Sequence, residues 1–226
     1  LKDALRLLVF ADAGWERLAA LKDLESFSPR GARFPGHCFA EFKGWTKLKT
    51  INFHSNGLDD EGLGYVCENF PNLEFIKLWH SKLITDASAE HLKKLSRLKG
   101  IEISCSTATA ALTKHFAHLP LEYVALEYGV IAPASDAIAS VKSVSTLRRL
   151  KLANRPLTDP DLTLLAGATQ IEELTIRIRE LPDERLPQLQ AFSFLKSLRL
   201  VIKKPLSQET RSKIRALLPN TKLHFE

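Results

Sequence analysis

One apolar pattern, L-x-x-L-x-L, returns along this chain at a nearly fixed interval. Copies stand at Leu48-Ile51-Phe53, Leu73-Ile76-Leu78, Leu98-Ile101-Ile103, Leu121-Val124-Leu126, Leu147-Leu150-Leu152, Ile171-Leu174-Ile176 and Leu195-Leu198-Leu200. Weaker copies flank them at Leu24-Phe27-Pro29 and Asn220-Leu223-Phe225. Successive first positions, from 24 to 220, lie 23 to 26 residues apart. A unit that short cannot bury its own apolar side, so the period specifies coils stacked on one another around a continuous interior.

Within each copy the last two apolar residues are two apart, the period of a strand with one buried face. Counting back from each copy, apolar residues recur at intervals of three: Leu21, Leu18 and Trp15; Trp45, Phe42 and Phe39; Leu95 and Leu92; Val144, Val141 and Ile138; Leu165 and Leu162; Phe192, Leu189 and Leu186. Such a stripe predicts a helix, so each repeat reads as strand, loop, helix. Asp60, Asp86, Asp159 and Asp183 are the expected N-caps, with Pro160 at a first helical position and Ser207 capping the last helix, whose Ile214 and Leu217 continue the stripe. In the 23-residue copy the stripe is Leu112, Phe116 and Leu119, as if one residue were deleted.

The chain resembles leucine-rich repeat proteins, and its LDDEGL (58–63), ITDAS (84–88) and LTDPDL (157–162) segments are similar to the ribonuclease-inhibitor-like subtype. The resemblance covers residues 12–226. It implies an α/β solenoid of about nine strands, with a curved parallel sheet on the concave side and helices on the convex side. The family's asparagine after the strand is present only as Asn56; Ser81, Ser106, Gly129, Arg155, Arg179 and Lys203 replace it elsewhere, so a continuous asparagine ladder is not expected. A single domain over 1–226 is expected, with 1–11 as an N-terminal cap or partial repeat. The chain starts at Leu1 and has no methionine, so its first residue is not expected to be a translation start.

Positions three, five and seven of each motif would form lanes on the concave side, neighbouring strands being about 4.8 Å apart. There Phe75 and Tyr123 flank Gly100, with Trp79 further along the strand of Phe75. Rings about 10 Å apart over a glycine would leave a slot between them. The alternative is that Phe75 and Trp79 lie down and cover the sheet. Candidate contact residues are Phe75, Trp79 and Tyr123 as anchors, with Lys77, Glu102, Arg149, Lys151 and Arg177 setting orientation.

Charge is uneven along the chain. From residue 147 onward there are 15 Lys+Arg and 9 Asp+Glu, whereas residues 1–146 hold 17 of each. Arg149, Lys151, Arg177 and Arg199 would form a basic strip suited to an acidic partner, with Glu127 and Glu173 near enough to neutralise part of it. The expected partner is thus a protein or peptide, possibly acidic. Nucleic acid is disfavoured because aromatic residues do not interleave the basic ones. No apolar run approaches the roughly 20 residues of a membrane span.

No nucleophile elbow, phosphate-binding glycine loop, H-E-x-x-H or C-x-x-C occurs. His115 and His118 form an H-x-x-H without further ligands nearby, so neither metal nor cofactor is expected. Cys67 and Cys38 read as core fillers, and Cys105, at a strand end, as the most exposed thiol. These observations point to a non-catalytic interaction module that holds a protein or peptide on its concave face. The rival readings are the recognition part of a larger protein, an enzyme with its site on the loops, and a self-associating structural protein.

Overall fold

The period-two pairs form the strands they predict. The computed structural model describes residues 5–8, 15–30, 35–54, 57–105, 107–127, 134–152 and 156–226. Its strands are β1 Leu5–Leu8, β2 Ser26–Arg30, β3 Thr50–His54, β4 Phe75–Trp79, β5 Gly100–Ser104, β6 Tyr123–Glu127, β7 Arg149–Leu152, β8 Glu173–Ile178, β9 Ser197–Ile202 and β10 Lys222–Phe225. All ten form one sheet in sequence order, every neighbouring pair parallel. That is one strand more than the nine motif copies. Leu5 and Leu7 stand in register with Phe27 and Pro29, so the short leading segment contributes a strand of its own.

Register follows the motif position by position. Ile51, Ile76, Ile101, Val124, Leu150, Leu174, Leu198 and Leu223 are successive partners across the sheet. A slip of one residue would turn each of these side chains to the other face, so the buried pattern itself fixes the pairing. Ile76, Leu78, Ile101 and Ile103 are wholly buried. Toward the N-terminal end the interior is aromatic: the Phe39 ring lies edge-on to Phe27, Phe42, Phe53 and Phe70 at centroid distances of 6.3, 5.2, 5.7 and 5.5 Å. Trp45, also buried, donates its indole N–H to the Ala19 carbonyl at 3.0 Å, which satisfies its only polar atom.

The return segments are less uniform than the stripe predicts. α-Helices are α1 Asp60–Asn69, α2 Ala89–Leu92, α3 Ala134–Lys142, α4 Asp159–Ala166 and α5 Gln208–Leu217. Trp15–Ala20, His37–Glu41, Ala110–Thr113, Phe116–His118 and Asp183–Phe192 are 3-10 helices instead. A stripe spaced strictly by three matches 3.0 residues per turn better than 3.6, and Leu186, Leu189 and Phe192 keep it through ten residues. Pro187 inside that segment removes a backbone donor as well. Leu21 departs from its predicted place in the stripe: its return ends at Ala20 and its side chain is 42% exposed. The side chain of Trp15 and residue Asn56 lie outside the described residues, as do Ser106, Gly129 and Arg155.

The predicted N-caps are each one residue late. The caps are Asp59, Thr85, Thr158 and Pro182, which places Asp60, Asp86, Asp159 and Asp183 in the first turn. Ser207 does cap α5, accepting from the Thr210 N–H at 3.0 Å. The displaced aspartates reach across to the next coil. Asp60 accepts from the backbone N–H and hydroxyl of Thr85 at 2.9 and 2.6 Å, and Asp86 repeats this with Thr109 at 2.8 and 2.7 Å. Asp159 pairs with Arg185, and Asp183 with Lys213. Further ties come from Asn72, Thr146 and Gln170, whose side chains donate to carbonyls of the preceding coil at 2.8 Å.

Candidate interaction surface

Alternation along each strand sends positions four and six inward and leaves three, five and seven on the face opposite the helices. The lanes form as the motif predicts. At position three Thr50, Phe75, Gly100, Tyr123, Arg149, Glu173, Ser197 and Lys222 are successive cross-strand partners. Lys77, Glu102, Ala125, Lys151, Thr175 and Arg199 follow in the next lane. In the third lane His54, Trp79, Ser104 and Glu127 are partners, and Arg177 pairs with Val201.

The slot predicted between Phe75 and Tyr123 is closed. The two rings lean over Gly100 and stack, centroids 6.2 Å apart and planes 8° from parallel. Gly100 is what permits this, because a Cβ there would stand 2.5 Å from Phe75 Cδ2. Charged neighbours brace the stack. The Tyr123 hydroxyl donates to Glu102 at 3.1 Å, and Glu102 pairs with Lys77 at 2.5 Å. Lys77 Nζ sits 3.9 Å from the Trp79 ring centre, and the Arg149 guanidinium lies 5.0 Å over Tyr123. Burial, and then the Glu102 carboxylate, hold the Tyr123 phenol well above its ordinary pKa. Trp79 Nε1 and Ser104 Oγ are buried without a hydrogen-bond partner among the described residues.

Over β7, β8 and β9 the same face is open. A hollow of about 380 Å³ is lined by Lys151, Thr175, Arg177, Arg199 and Val201, with Glu127 and Glu226 at its sides. Each carboxylate is engaged, Glu127 with Lys151 at 2.5 Å and Glu226 with Arg199. Arg177 has no ion-pair partner among the described residues, and its buried Nε finds no acceptor. A second hollow, of about 980 Å³, adjoins the first through Arg177, Val201 and Glu226 and adds Arg179, Lys203 and Lys204 above Pro156 and Pro205. Thus Phe75, Lys77, Trp79, Glu102, Tyr123 and Arg149 form one knit group, while Lys151 and Arg177 belong to the hollow beside it.

The remaining chemistry-bearing residues do not converge. His115 is held by Glu90 at 2.8 Å, and the described residues contain no group of three or more metal-ligating side chains. Cys105, expected to be exposed, is fully buried, and burial pushes its thiol up to about 12. It follows Ser104, the last residue of β5, and packs into the apolar interior. Cys67 is buried as expected, and its thiol is likewise raised by burial. No helix among the described residues is long and apolar enough to cross a membrane.

No protein-family model matches the chain, and comparison with curated protein sequences finds no match either. Solved structures do match. A leucine-rich repeat protein from Leptospira interrogans is 13% identical over 97% of this chain, with a TM-score of 0.52. A chain of the Drosophila Toll–Spatzle complex is 13% identical over 91%, with a TM-score of 0.55. The fold is a leucine-rich repeat solenoid. This solenoid spans 58% and 31% of the length of those two chains. An internalin from Listeria monocytogenes is also similar, 15% identical over 100% of this chain and 82% of its own, with a TM-score of 0.48. In a leucine-rich repeat solenoid, as in the Leptospira and Drosophila chains, the sheet face carrying the stacked and hollow-lining residues is the concave side of the arc and the helices are on the convex side.

Proposed function

We propose that this solenoid is a non-catalytic interaction module that binds a protein or peptide on its concave face. The observation that carries the reading is the preformed state of that face. Phe75, Trp79 and Tyr123 are held by Lys77, Glu102 and Arg149 before any partner arrives, so little side-chain freedom is left to lose on binding. Trp79 and Tyr123 serve as rigid anchors, while Arg149, Lys151 and Arg177 orient the partner through charge. The likeness to a chain found in the Toll–Spatzle complex supports a protein partner. The α-helical returns α1, α3, α4 and α5 support a ribonuclease-inhibitor-like build for their repeats.

Affinity purification from the native source tests the reading when two paired variants are compared. Trp79→Ala/Tyr123→Ala should lose the partner retained by the intact chain, while Tyr65→Ala/Leu164→Ala on the helical side should keep it. Loss of the partner from the helical-side pair, with the concave pair neutral, would refute the site. The greater length of the matched Leptospira and Drosophila chains favours a second reading, in which the solenoid is the recognition part of a larger protein. The full-length reading frame decides that point.

A further inference from the structure

The two adjoining hollows over β7–β9 have a chemistry of their own. Among the described residues six cations line them, Lys151, Arg177, Arg179, Arg199, Lys203 and Lys204, against the carboxylates Glu127, Glu180 and Glu226. Glu127 and Glu226 already occupy Lys151 and Arg199. Among the described residues no carboxylate pairs with Arg177, which stands where the hollows meet. Thr175, the cross-strand partner of both Lys151 and Arg199, keeps the floor low between two cations about 10 Å apart. Arg177 rises from the same strand about 7 Å further on, beside Val201. A guanidinium in such a recess offers a two-pronged donor to one carboxylate, and that geometry suits Arg better than Lys.

We propose that this cleft is an acidic-residue site: Arg177 receives the carboxylate of an Asp or Glu in an extended partner peptide, and a neighbouring apolar side chain of that peptide rests on Val201 and Pro205. This rests on the concave-face reading above and names the chemistry of the partner. Successive same-side residues of an extended peptide are about 7 Å apart, enough to reach from the guanidinium to the apolar floor. A nucleic acid fits less well. Among the described residues no aromatic ring lines either hollow for a base to stack on, and three carboxylates would face the phosphates.

Fluorescence anisotropy with a labelled Glu-Leu-Glu-Leu-Glu peptide tests the site, with Gln-Leu-Gln-Leu-Gln and a ten-residue oligothymidylate as comparison probes. The variants are Arg177→Gln and, on the far side of the motif, Arg97→Gln, each checked for an unchanged circular dichroism spectrum and melting curve. The acidic peptide should bind at least tenfold more weakly to Arg177→Gln, and within twofold of wild type to Arg97→Gln. The glutamine peptide should bind at least tenfold more weakly than the acidic one to the unaltered protein. The proposal is overturned if the acidic peptide fails to bind at 1 mM, if Arg177→Gln binds it within twofold, or if the oligothymidylate binds more tightly in an Arg177-dependent way. Failure here, with the native partner still lost in Trp79→Ala/Tyr123→Ala, removes the acidic-residue site and leaves the concave-face reading standing. The opposite pattern removes Trp79 and Tyr123 as anchors and leaves Arg177 as the concave-face contact.

Discussion

Two halves of one concave face solve the same problem differently. Strands β4–β6 carry large side chains around a glycine, and these collapse onto one another: Phe75 on Tyr123, Lys77 on Trp79 and on Glu102. Strands β7–β9 carry long cations around a threonine, and Lys151 and Arg199 turn to Glu127 and Glu226 rather than to each other, so hollows remain. Aromatic rings gain by covering the sheet and one another, because burial removes apolar area from water. Guanidinium groups gain nothing by meeting and stay apart until an anion joins them. A solenoid with one backbone geometry can thus present a rigid platform and an open cleft side by side.

The largest effect should come from filling the glycine. Gly100→Leu puts a branched side chain where the Phe75 ring lies, and should cost about 1–3 kcal/mol in chemical denaturation. The matching change in the open half, Thr175→Val, should stay within about 0.5 kcal/mol. Similar costs at both positions would erase the distinction between closed and open halves. Next in size is the stack itself. A double-mutant cycle over Phe75→Ala and Tyr123→Ala should give a coupling of about 0.5–1.5 kcal/mol. Arg149→Ala and Arg177→Ala, on different strands and without a shared partner, should be additive.

Smaller effects concern the ties that both halves share. Asp86→Ala removes two hydrogen bonds to Thr109 and should cost about 1 kcal/mol, less than the glycine change. Acid should act more gently still. Glu90, beside Lys114, Lys93 and His115, and Glu74 and Glu172, beside Lys99 and Lys196, have carboxyls held below the ordinary value of 4.5. Lowered folded-state values mean a contribution complete above that value and lost as pH falls through them. The melting temperature should therefore be flat above about pH 5 and decline below about pH 4, and 1 M salt should flatten the decline because these groups are exposed. A decline unaffected by salt would place its cause elsewhere.

Much of this architecture is legible in the sequence, and the gaps have physical causes. Strand positions and register follow from Ile76, Leu78, Ile101 and Ile103, because a period of two with one buried face forbids a slip of one residue and the recurring first leucine aligns the copies. Whether a return is α or 3-10 was not legible: spacing by three runs through the 3-10 segment of Leu186, Leu189 and Phe192 and through the α-helix of Ile138 and Val141 alike, while Leu112 and Phe116, four apart, lie on 3-10 returns. Another lane was in plain view: at position two Glu25, Lys49, Glu74, Lys99, Glu122, Arg148, Glu172 and Lys196 alternate in sign. Two adjacent pairs in it meet as ion pairs, Glu74 with Lys99 at 2.9 Å and Glu172 with Lys196 at 2.7 Å. What the sequence does not show is rotamer choice. Nothing in the spacing of Phe75, Gly100 and Tyr123 says whether the rings stand or lean, and that choice decided between slot and stack. The hollow at Arg177 was hidden for the same reason, since it depends on where Lys151, Arg199 and Glu226 send their flexible ends.

Hydroxyl-radical footprinting of the chain with and without its captured partner tests most directly whether the concave face is the binding face. Bound partner should lower oxidation of Trp79, Tyr123 and Val201 severalfold and leave Tyr65 and Leu164 on the helices unchanged. Protection of Tyr65 and Leu164, with the three concave residues oxidised as in the free chain, would contradict the account.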